Sequence, residues 1–79
     1  MAKYDRLGRF LVAAGAGKQT LTFGRIDQLV GGLPASARQH RAWWGNEVDG
    51  RHVQAGAWIG AGWNAEVDLA AGIVTFSRR

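Results

Sequence analysis

No cysteine occurs among the 79 residues, so neither a disulfide framework nor a thiolate metal site can supplement the core. No stretch reaches the roughly 18 consecutive apolar residues of a membrane-spanning helix, and the N-terminus lacks an apolar run of signal-peptide length. A soluble, cytoplasmic protein with no membrane partner is the expectation. Negative charge is also scarce, with six Asp and Glu against ten Lys and Arg, a net charge of +4. Such an excess suits a polyanionic partner without requiring one.

A chain this short makes one domain, residues 1–79, and buries only ~60 to 65% of the surface its unfolded form exposes. With 47% hydrophobic residues it is globular rather than disordered, and four Trp supply the large apolar areas a small core needs. Cations gather early, with Lys3, Arg6, Arg9 and Lys18 set against Asp5 alone. The acids Glu47, Asp49, Glu66 and Asp68 lie in the second half, a distribution that allows two faces of opposite sign.

Tyr4, Leu7, Phe10, Leu11 and Ala14 recur at spacings of three and four, which predicts a helix over 3–14 with Lys3, Arg6 and Arg9 opposite its buried face. Glycines at 15 and 17 end it. The string AAGAGKQT has glycine, lysine and threonine but not the full phosphate-loop spacing, and no strand precedes it. A short edge strand is expected at 19–21. Thr22 then caps a helix beginning at Phe23, with Leu21 and Ile26 placed as a hydrophobic staple and Gly31-Gly32 as its end. Pro34 suits the first turn of another helix, predicted to run to about His40 and to be followed by an irregular or extended segment holding Trp43 and Trp44. In an extended segment those two rings would face opposite ways, leaving one exposed.

Residues 47–50 read as a polar loop with an Asp49-Gly50 turn. Val53, Ala57, Trp58 and Ala61 then repeat at helical spacing, with Gly62 as a cap and with Trp58 and Trp63 assigned to the core. At the end, Ala65, Val67 and Leu69 alternate with acids, residues 70–72 turn the chain, and Val74 and Phe76 alternate with Thr75 and Ser77. This is a two-stranded hairpin. The fold class expected is α+β: three or four short helices packed on a small antiparallel sheet with a C-terminal hairpin, a winged-helix variant being one form of it. The third strand is either residues 19–21 or the Trp segment.

The strings LPASARQHRAWWGN, HVQAGAWIGAGW and VDLAAGIVTFSR resemble a small bacterial domain family of unknown function marked by LPxSARxxRxWWxN, QAxAWxxAGW and a terminal VxF strand. The resemblance covers about residues 19–79, with Arg38, Arg41, Trp43, Trp44, Asn46, Gln54, Trp58 and Trp63 as the matching positions. It implies a fold more than a function.

Arginines interleaved with indoles point to a surface that grips phosphates and packs on sugars or bases. Arg38, Arg41 and Arg51 are the candidate phosphate contacts, with Lys18 at the rim. His40, Asn46 and Gln54 are candidate base or sugar contacts, and Trp44 is the candidate exposed ring. The expected function is duplex DNA binding by a homodimer, as a small transcriptional regulator or nucleoid-associated protein. The alternative is a protein-interaction or oligomerisation module using the same Arg and Trp surface without nucleic acid. Catalysis is not expected, because His40, His52, Glu47 and Asp49 match no metal-ligand spacing and no cysteine nucleophile exists. No cofactor and no small-molecule substrate are expected either.

Overall fold

The computed structural model describes residues 3–15, 17–46 and 54–79. Helix α1 (Asp5–Ala14) is followed by strand β1 (Lys18–Thr22), helix α2 (Phe23–Val30) and helix α3 (Ala35–Gln39). A 3₁₀ turn at Arg41–Trp44, helix α4 (Ala55–Ile59) and the hairpin of β2 (Trp63–Asp68) and β3 (Ile73–Arg78) complete the α+β chain. All three strands are antiparallel in the order β1-β3-β2, so β1, and not the Trp segment, supplies the third strand.

Strand alternation sets the two faces of the sheet. Leu21, Trp63, Ala65, Val67, Val74 and Phe76 are buried on the face that meets the helices. Thr20, Glu66 and Asp68 lie exposed on the other, which carries two of the chain's acids. Helix α2 starts where its cap predicts. The Thr22 hydroxyl accepts from the Arg25 N–H at 3.0 Å, and the Phe23 N–H donates to the Gly72 carbonyl of the hairpin turn at 2.9 Å. Its end is fixed by Gly31 at φ 76°, a left-handed cap that a side chain would disfavour. Asp27 secures the connection to α3, since its carboxylate accepts the Leu33 N–H at 2.6 Å.

The Trp segment, expected to be irregular or extended, forms a 3₁₀ turn. In a 3₁₀ turn successive side chains are about 120° apart, so neighbouring rings need not point oppositely. Trp44 is 2% exposed, and Trp43 is half-buried with its edge against Trp44 at 4.6 Å and Tyr4 at 5.7 Å. Trp44 lies between Phe23 at 6.0 Å and Trp58 at 5.7 Å, and Trp58 reaches Phe76 at 5.9 Å. This aromatic row ties α2, the 3₁₀ turn, α4 and β3 together, and each such contact contributes about 0.5–1.5 kcal/mol beyond its area. Trp58 and Trp63 are both fully buried, as the sequence implies. The expected 47–50 loop, its Asp49-Gly50 turn and Val53 lie outside the described residues.

Helices α1 and α4 meet at Gly8, where an added Cβ would stand 2.8 Å from the Ala57 carbonyl oxygen. Gly56 is the opposite case, because a Cβ there meets nothing within 4 Å. Gly8→Ala should therefore lower stability by about 1 to 2 kcal/mol although alanine is the better helix former, whereas Gly56→Ala should raise it by up to about 1 kcal/mol. Urea unfolding midpoints of the two variants in dilute solution would check this. Equal shifts of the same sign would contradict it.

Candidate nucleic-acid interface

The sequence-derived candidates divide into two groups in the structure. Lys18, Arg38, His40 and Arg41 are exposed. Trp44, Asn46 and Gln54 are committed to internal contacts, and Arg51 lies outside the described residues, as do His52, Glu47 and Asp49. The Trp44 indole N–H donates to the Ala37 carbonyl at 2.7 Å, so this ring is not an exposed platform. Gln54 is 7% exposed and its amide donates to the Trp43 carbonyl at 3.0 Å.

Asn46 lies at the surface, yet its amide is spent inside. Its Oδ1 accepts the Ala65 backbone N–H at 2.7 Å while its Nδ2 donates to the Ala65 carbonyl at 2.9 Å. That pair of bonds reproduces what a neighbouring strand would offer to β2. The same Oδ1 also accepts the Trp58 indole N–H at 2.9 Å. Further along the same strand, the Arg41 guanidinium donates to the Val67 carbonyl at 3.1 Å. Arg41 is thus held at the β2 edge, next to a carbonyl whose sequence neighbours Glu66 and Asp68 are exposed acids. The motif's polar side chains largely complete the sheet, which corrects the expectation that Trp44, Asn46 and Gln54 face a ligand.

What remains outward is charge. Nine Lys and Arg are described and all nine are exposed, against four described acids, Asp5, Asp27, Glu66 and Asp68. Their placement around α2 is specific. Arg25 lies over the Phe10 ring of α1, 5.9 Å from its centroid, so it leans towards α1 and its exposed Arg6. From the other side Arg38 comes in from α3, 5.8 Å from the Phe23 centroid and 3.4 Å from the Asp27 carboxylate. Besides Arg25, the exposed residues of α2 are Gly24 and Gln28, and the Asp27 side chain is partly exposed.

The Arg38 to Asp27 pair is long, and its side chains are 45% and 40% exposed. A pair of this kind contributes ~0–1 kcal/mol, so a phosphate can compete for the guanidinium. Arg25 and Arg6 were not among the candidates from sequence. The signal for Arg25 was its place on the polar side of α2, opposite Ile26 and Val30.

At the other end of the sheet, Arg78 lies over the Trp63 ring at 5.7 Å and donates to the Gly15 carbonyl at the end of α1. A cation there complements the negative end of the helix dipole. Among the described residues no group of three or more potential metal ligands comes together, and no helix is long and apolar enough to cross a membrane.

A family model described as a domain of unknown function, DUF7662, matches residues 4–79, and the chain belongs to that family. The match takes in α1 as well as the segment that carries the motifs. No curated protein and no solved structure matches the chain.

Removing the Asn46 amide leaves the Trp58 indole N–H and both Ala65 backbone groups short of partners, each at a cost of about 1–3 kcal/mol where water cannot replace it. Asn46→Ala should therefore destabilise the fold by about 2–4 kcal/mol, near the top of the range for single substitutions. Arg41→Ala, which frees one carbonyl at the sheet edge, should cost about 1 kcal/mol or less. Chemical denaturation with tryptophan fluorescence would rank the two, and an Asn46→Ala protein as stable as wild type would remove the amide from this role.

Proposed function

We propose that this DUF7662 domain binds duplex DNA along its phosphate backbone, in a nucleoid-associated or regulatory role. The carrying observation is the exposed guanidinium groups at and beside α2: Arg25 on it, over Phe10 of α1, and Arg38 of α3 over Phe23, with Arg6 exposed on α1. Guanidinium groups fit phosphate oxygens as planar forks, and exposed ones release counterions when they do so. His40 and Arg41 extend the surface beyond α3, and Lys18 lies further off on the sheet.

Because the four indoles are buried or half-buried, stacking on bases contributes little, and the recognition proposed is insensitive to sequence. The order of helices and strands, with β1-β3-β2 in the sheet, supports a winged-helix variant as the framework. Its hairpin turn at 69–72 holds no cation, so phosphate contact falls to the helices.

Anisotropy titrations of labelled random duplexes at several salt concentrations test the proposal. Wild type should show affinity falling steeply with salt. The triple variant Arg6→Ala, Arg25→Ala, Arg38→Ala should remain folded by circular dichroism and lose about 0.9 from the log–log slope for each phosphate contact removed. A folded triple variant with an unchanged slope would refute this surface. Absence of salt-sensitive binding in the wild type would instead favour a protein-interaction module.

A further inference from the structure

Beyond the contact at Gly8, α1 and α4 enclose an apolar groove of about 440 Å³. Arg9, Val12, Ala13, Gly56, Gly60 and Ala61 line it, and Asp5 completes the rim. Two residues here find no packing partner among the described residues. Val12 is 64% exposed, the one large hydrophobic side chain so exposed among the described residues. Gly56 lies in a helix of five residues, where glycine costs about 1 kcal/mol relative to alanine. Its φ is not positive, and among the described residues a Cβ would meet nothing within 4 Å, so neither backbone conformation nor packing against them calls for glycine.

An apolar knob beside an apolar hollow on the same surface is self-complementary under a two-fold rotation. Charge favours the same occupant. The groove carries one charge of each sign, Asp5 and Arg9, while the remaining described surface holds eight cations against three acids. Two copies of a chain with net charge +4 repel over most of their surface, and the balanced pair at this groove adds nothing to that repulsion. A polyanion, by contrast, finds no net charge here.

We propose that the α1/α4 groove is the self-association surface of this protein, occupied by a second copy so that Val12 of each chain seats over Gly56 of the other. The surface is separate from the flanks of α2, and the proposal does not rest on DNA binding. Its salt response is also opposite, since screening relieves the repulsion between two cationic copies and strengthens their association.

Sedimentation velocity without DNA, from micromolar to near-millimolar protein, should show wild type reaching twice the 8.5 kDa chain mass, more readily at high salt. Val12→Glu and Gly56→Arg change exposed positions and should keep the wild-type circular dichroism, yet each alone should remain monomeric. An equimolar mixture of the two should regain the doubled mass, because one contact is then wild type and the other pairs Glu with Arg. A wild type that stays monomeric throughout, a dimer unaffected by both substitutions, or a mixture that stays monomeric would each overturn the proposal.

Discussion

The side-chain amide of Asn46 is the contact on which the rest of the domain depends. A single carboxamide closes the outer edge of β2 by accepting from and donating to Ala65, and its oxygen also holds the Trp58 indole. The sheet edge and the aromatic row are thereby joined through one planar group. In the low dielectric around Trp58 these bonds are stronger than in water, and leaving any of their partners unpaired is correspondingly costly. The arrangement also uses up the backbone groups that a foreign strand would need. Arg41 does the same for the carbonyl of Val67, so the β2 edge is protected by side chains and not by a further strand.

A chain with no cysteine and only 79 residues must find its stability in packing, and it does so by placing its large rings face to face or edge to face inside. Glycine at position 8 lets α1 and α4 come close enough to seal the aromatic row from one side. This economy also sets the surface. With the indoles buried or half-buried, the described surface carries nine exposed Lys and Arg side chains against four acids. Among the described residues the α1/α4 groove is apolar and carries one charge of each sign, Asp5 and Arg9.

Much of the fold is legible in the residues. The α1 stripe, the Thr22 cap with Gly31 at the end of α2, and the alternation along β2 and β3 are local patterns, and they recur in the structure at or within two residues of their expected bounds. An adjacent pair of large rings fits an irregular or extended segment, whereas a single 3₁₀ turn places Trp44 in the core and Trp43 against it. For the site, exposure of Arg38, His40 and Arg41 agrees with the sequence reading. Trp44 and Gln54 are buried and the amide of exposed Asn46 is bonded inward, since an amide or an indole N–H suits a backbone carbonyl as well as it suits a base edge.

Sequence alone determined α1, α2 and the C-terminal hairpin, because periods of 3.6 and 2 are written in neighbouring residues. It also determined the positive charge and the need for an aromatic core. Only the tertiary structure decided which polar groups remain for a ligand. Asn46 meets Ala65 across nineteen positions of chain and β1 joins β3 from the far end of the sequence, pairings fixed by long-range packing that no local pattern encodes.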